Sequence, residues 1–278
     1  MAWQDILVFA DATAAGATRV RLAADLADDH RAHTTVCLPI LLPSFGIYGD
    51  QLLNRQEFET FTTHQRRVTL DSAEKLRAEF ATRGGHITIE TPEDLSEDFP
   101  KKAAAMAQTF DLVVMGQPTG GLSSRLEHAM LEGVLFGAGR PLLMLPQWKE
   151  PRAFGRRVLV GWKNVREAAR AVHDALPLLR RADAVRVFAS DDVSHGRAAN
   201  AAYLSRICEH LKRHGVPIAP NDQSPSMREI GLVEEAHVWG ADMIAMGGFG
   251  HASFQEFVFG GATQDAIQRS PVPVLLSH

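Results

Sequence analysis

The sequence predicts an α/β protein made of two tandem, open, doubly wound parallel sheets of five strands each, and three observations predict it. Short, near-continuous apolar runs alternate with helix-length amphipathic stretches, the pattern of strands buried on both faces. The pattern occurs twice and in the same order. Ile6-Leu7-Val8 recurs as Val158-Leu159-Val160, Asp111–Gly116 (DLVVMG) as Asp242–Gly247 (DMIAMG), and Pro141–Met144 (PLLM) as Pro273–Leu276 (PVLL). The third observation is size, because 278 residues suit two domains that each bury a core.

In the first copy the strands fall at Ile6–Phe9, Thr34–Leu38, Ile87–Glu90, Leu112–Met115 and Leu142–Leu145. The offsets between copies are 152, 131 and 132 residues, so the first copy carries an insertion of about twenty residues. It is placed at Leu41 to Phe58, where Pro43, Gly46 and Gly49 interrupt any period. Gln147 to Gly155, with Pro151, joins the copies, which sets domain bounds of 1–148 and 155–278. In the second copy the strands fall at Val158–Gly161, Ala184–Ala189, Val216–Ala219, Met243–Met246 and Val272–Leu276. Helices are expected between them at Arg166–Arg180, Ala199–His214 and Arg228–Trp239. Alternating β and α elements imply right-handed crossovers and a parallel sheet. Such sheets bind ligands beyond the carboxyl ends of their strands, where the strand order reverses.

Composition narrows the classes of function. A formal charge of −4 and 22% charged residues give no general reason to expect nucleic-acid or membrane partners. Cys37 and Cys208 are the only cysteines, too few for a disulfide framework or a CxxC zinc site. No leader-like segment and no apolar run of about 20 residues is found, so a cytoplasmic protein with reduced thiols is expected. The twelve histidines contain no H-E-x-x-H and read mostly as surface residues.

The segment after strand four of the second copy carries the chemistry. Gly247, Gly250 and Gly260 are spaced G-x2-G-x9-G, and Gly260-Gly261-Ala262-Thr263 opens the last helix. Bare amides at a helix N-terminus form an anion cradle, and a Thr263 hydroxyl would add a donor. The same glycines would serve equally as tight strand-to-helix turns. His251 could reach a phosphate, and Trp162 could stack on a base or cap the core. Neither a P-loop nor a G-x-G-x-x-G fingerprint is present.

This segment, closing with Ser270–Leu276 (SPVPVLL), resembles the end of a universal stress protein (UspA-type) domain, and the repeat resembles the family's two-domain members. The resemblance implies Rossmann-like sheets of strand order 3-2-1-4-5 and a stress-response role as a sensor or interaction module. It implies an adenine nucleotide (ATP, ADP or AMP), with Mg2+ as an optional companion, over the carboxyl edge. It also implies pairing through the last strands, here between the two halves, with a homodimer possible in addition. Carried over, it puts Met246 and Gly247 near the ribose and Gly250 and Gly260 along the phosphates. Gly261 stands where the family has a hydroxyl residue. Lys163 replaces the aspartate that reads adenine after strand one; lysine only donates, so either it meets a phosphate instead or Asn164 reads the base from the adjacent position. No general base or catalytic residue is evident, which leaves slow ATP hydrolysis or action by protein contact alone as alternatives.

The first copy shows the opposite loss. Asp11 keeps the strand-one position, but no G-x9-G follows Gly116, and His128 falls where Gly260 would be. That half is read as non-binding. Charge points the same way, with 14 basic against 20 acidic residues up to Glu150 and 15 against 13 beyond it.

Overall fold

Four of the apolar runs of the first copy become strands covered on both faces, and the fifth, Ile87–Glu90, becomes a strand with alternate residues exposed. The computed structural model describes residues 3–43, 47–48, 51–52, 54–83, 86–119, 124–189, 197–220, 231–248 and 261–278. Its chain divides after Arg152, and the second unit runs Ala153–His278.

The first unit opens with β1 (Asp5–Phe9), α1 (Ala14–His30) and β2 (His33–Cys37). Thr13 caps α1 by accepting from the Gly16 amide at 3.0 Å, and Arg31 closes the helix in the left-handed region with φ 57°. The expected insertion is not featureless. It holds β3 (Ile40–Leu42) and a short antiparallel pair, β4 (Ile47–Tyr48) with β5 (Gln51–Leu52). A 27-residue helix, α2 (Arg55–Ala81), then starts inside the bounds assigned to it. Asn54 and Glu57 form a reciprocal capping box there. The unit continues with β6 (Ile87–Glu90), β7 (Glu93–Leu95), α3 (Phe99–Ala107), β8 (Leu112–Gly116), α4 (Ser124–Gly137) and β9 (Leu142–Leu145). All pairings of the main sheet are parallel, in the order β6-β2-β1-β8-β9. That is a 3-2-1-4-5 arrangement of its five central strands. Ile6, Leu7, Leu112 and Leu142 to Leu145 are shielded from solvent on β1, β8 and β9.

The second unit repeats the plan with β10 (Arg157–Trp162), α5 (Arg166–Leu179), β11 (Ala184–Ala189), α6 (Arg197–Arg213), α7 (Leu232–Trp239), β12 (Met243–Gly247), α8 (Gly261–Arg269) and β13 (Val274–Ser277). Its strands pair in parallel in the order β11-β10-β12-β13. The strand expected at Val216–Ala219 is a correction: only one bridge forms there, Val185 to Ile218. Pro217 and Pro220 remove the amide donors on either side of Ile218, so the ladder cannot extend. Among the described residues the second unit therefore has four full strands. The start of the helix expected at Arg228 lies outside the described residues, and α7 is described from Leu232.

The repeated Asp has the same task in both units. Asp111, ahead of β8, accepts from the amides of Gln4 and Asp5 at 2.7 and 3.2 Å. Asp242, ahead of β12, accepts from Gly155, Arg156 and Arg157 at 3.0, 3.1 and 3.0 Å. Each carboxylate ties the entry of the first strand to the entry of the fourth, which sets the crevice between those strands at their far ends. No helix among the described residues is long and apolar enough to cross a membrane.

Candidate functional site

In both units the strand order reverses between the first and fourth strands, so the crevice lies at the carboxyl ends of β1 and β8 and of β10 and β12. The two crevices are finished differently. In the first unit the protein fills its own. Arg19 reaches from α1 with only 6% of its surface exposed. Its Nη1 donates to the Phe9 carbonyl at 2.8 Å and faces Asp11 Oδ2 at 3.5 Å. Burial pulls the guanidinium below its ordinary value, opposed by the Asp11 charge and hydrogen bond and by the Glu127 charge. A Cβ on Gly116 would collide with this guanidinium. Asp11, the residue at the base-reading position, is further occupied by the amide and hydroxyl of Thr13. Thr119 donates its hydroxyl to Glu127 at 3.0 and 2.9 Å. His128 is half-buried on α4.

In the second unit the described residues around the crevice are these. Lys163 and Asn164 follow β10 and are exposed, the Lys163 carbonyl turning back to accept from the Val165 amide at 2.8 Å. The N-cap of α5 is Val165, which supplies no side-chain acceptor, whereas Thr13 caps α1. Met246 is buried on β12, with Gly247 at its carboxyl end. Gly261 and Ala262 begin α8 in exposed positions, and a Cβ on Gly261 would meet no atom within 4 Å. Thr263 sits in the same turn and is buried at 5% exposure. Gly250, His251 and Gly260 lie outside the described residues.

Two buried polar atoms here have no partner among the described residues. The Trp162 indole N–H, at the end of β10, and the Ser277 hydroxyl, at the end of β13, are both shielded from water and unbonded. Leaving a buried donor unsatisfied costs about 1–3 kcal/mol, so each of these atoms calls for a partner. Sequence reasoning named Trp162 for its ring and missed Ser277 altogether; a serine in an apolar strand carries no motif. Glu167, in the first turn of α5, was also missed. Burial pushes its carboxyl up, but the hydrogen bonds from Arg166 and its own amide and the charges of Arg166 and His278 hold it below its ordinary value.

One expected site residue has a packing reason of its own. A Cβ on Gly247 would stand 2.6 Å from the Ala168 nitrogen and 2.6 Å from the Glu167 carbonyl carbon. The start of α5 lies directly on this glycine, so the fold demands it whatever the crevice holds.

Residues 221–278 match the model of the universal stress protein family. This segment is similar to a universal stress protein domain. The match covers the last helix, the last strand and the whole glycine-spaced segment. No curated protein is matched by this chain. Among solved structures, a universal stress protein from Archaeoglobus fulgidus DSM 4304 is similar over 98% of this chain and 97% of its own, with a TM-score of 0.67 at 17% identity. A functionally unknown protein from Pseudomonas aeruginosa PAO1 is similar over 99% and 92%, with a TM-score of 0.56 at 14% identity. At these identities the likeness is one of fold, and its span over nearly the whole of each chain fits a tandem arrangement. A universal stress protein in complex with cAMP matches 53% of this chain and 100% of its own at 15% identity and a TM-score of 0.34; the nucleotide is a fact about that protein.

Proposed function

We propose that the second unit binds an adenine nucleotide of the ATP type at the carboxyl edge of its sheet, and that the chain serves as a stress-response sensor or interaction module. The observation that carries this reading is the contrast between crevices: the Arg19 side chain occupies one, its own Nε buried without a partner, while among the described residues the other keeps a glycine with no Cβ contact at a helix N-terminus and the unpartnered Trp162 and Ser277 atoms. In this reading the amides of Gly260, Gly261, Ala262 and Thr263 receive the phosphates, aided by the α8 dipole. Met246, Gly247 and Gly250 lie along the sugar and phosphates, and His251 adds a phosphate contact. Lys163 pairs with a phosphate oxygen and Asn164 reads the base. The two units correspond to UspA-like domains at 1–148 and 155–278.

A second reading, a protein that acts only through protein contacts, is favoured by Gly247, whose identity packing already explains. Calorimetric titration of the full chain with ATP, ADP and AMP, with and without Mg2+, separates the two. Binding that discriminates among the three, and is lost in Gly260→Val while the melting temperature holds, supports the nucleotide reading. No heat with any of them, and no nucleotide in the mass spectrum of protein purified without added ligand, would leave the contact reading. Lys163→Asp restores an acceptor beside the base, so its selectivity for adenine over guanine nucleotides is expected to rise. Unchanged selectivity would sink the mapping after β10.

A further inference from the structure

We propose that the seam between α5 and α6 of the second unit is an acid-operated joint, closed while the His214 ring is neutral and opened when that ring gains a proton. A clamp between the ends of the two helices closes it. Arg180 caps the carboxyl end of α5, and its guanidinium reaches His214, the residue that follows α6. Its Nε donates to the His214 carbonyl at 2.8 Å, and its Nη2 lies 3.1 Å from His214 Nδ1. A guanidinium only donates, so Nδ1 is the acceptor and the proton of the neutral ring sits on Nε2. The carbonyl is one of those that a helix end leaves without an internal partner, and Gly215, in the left-handed region at φ 77°, turns the chain away just beyond it. A proton on Nδ1 removes the acceptor and sets two cations against each other.

The surroundings of the clamp repel an added charge. The ring of His210 lies 4.5 Å from that of His214 and 5.2 Å from that of His173, centre to centre, and His173 and His214 are 6.5 Å apart. His173 Nδ1 donates to the Ala169 carbonyl at 2.7 Å. His210 Nε2 is shielded from water and has no partner among the described residues. Burial, and then the charges of His214, His173 and Arg213, hold the His210 ring below its ordinary value. The nearby acids are engaged elsewhere, Glu209 by Lys212 at 2.9 Å and Asp174 by Arg170 at 3.6 Å. A proton added to the cluster therefore meets imidazoles and the guanidinium groups of Arg180 and Arg213, and no carboxylate among the described residues is bonded to any of the three rings. The packed seam refuses a proton that the released helix accepts. It is therefore whole above about pH 6.5, the ordinary imidazole value, and weakens as pH falls below it. Opening bares Ile207 and Leu211, which are buried on α6 and spaced i, i+4 as an apolar strip.

The test is hydrogen exchange of the α6 amides in the full chain, corrected for intrinsic rate, with the β10 and β12 amides as internal reference. Between pH 7.5 and 5.5 the protection of α6 relative to those strands should fall about tenfold. The double variant His210→Gln with His214→Gln stays neutral and keeps an acceptor, so it should lose that pH dependence, while His64→Gln, on α2, keeps it. Arg180→Gln should lower α6 protection already at pH 7.5. Ring 15N spectra of the unaltered chain need no variant: His214 Nδ1 should be unprotonated at pH 7.5 and gain its proton as the α6 amides lose protection. Equal protection at the two pH values, a fall that persists in the double variant, an Arg180→Gln chain as protected as the parent, or a proton on His214 Nδ1 at pH 7.5 would overturn the proposal. None of these readings depends on a nucleotide.

Discussion

Two glycines on the same rim of the second unit separate packing from ligand chemistry. Gly247 lies under the backbone of α5, and Gly261 faces open space. Gly247→Ala should cost about 1–3 kcal/mol, because backbone atoms of Glu167 and Ala168 must move to admit a methyl group. Gly261→Ala should change stability by no more than about 0.5 kcal/mol and yet weaken ATP, if the α8 amides hold phosphate. Denaturant unfolding beside calorimetry checks both, and a Gly261→Ala protein that binds as the parent does would argue against the cradle. Cys37 gives a pH-dependent case. Burial, with the Glu90 charge added, pushes its thiol up from 9.0 to about 12. The folded state then keeps a proton that the unfolded state has lost, so stability is intact below pH 9 and falls as pH rises towards 12. In Cys37→Ala the alkaline limb should be shallower by up to about 1.4 kcal/mol per pH unit. Parallel limbs in urea melts from pH 8 to 11 would refute the assignment.

Among elements, those with a strong local signal were legible. The apolar runs of β1, β8, β10 and β12 cannot be anything but buried strands, and the repeated Asp before two of them marks a shared joint. Asp242→Ala removes a charged acceptor from three backbone amides and should cost about 1.5–3 kcal/mol. Asp242→Asn, which keeps one acceptor oxygen, should cost less, and equal losses would mean the carboxylate is not the joint. The strand at Val216–Ala219 was misread because apolar content said strand while Pro217 and Pro220 denied it the amides. The insertion was misread in the other direction. Its proline and glycines hid β3, whose partner β7 lies some fifty residues on, beyond α2 and β6.

For the whole molecule the duplication makes a prediction of number. With Arg19 lodged in the first crevice, one nucleotide should bind per 278-residue chain, and calorimetric stoichiometry near two would show that Arg19 swings out. The sequence by itself determined the duplicated α/β architecture, because apolar period and repetition are properties of the chain, and its glycine spacing chose the segment where a ligand is proposed. It also marked the first half as different, through His128 and the missing glycines. Only the tertiary structure decided that Arg19 fills one crevice, that Gly247 answers to α5, and that Trp162 and Ser277 are left unpaired among the described residues. Those facts depend on which side chain reaches a point from a distant helix, and spacing along the chain does not carry that information.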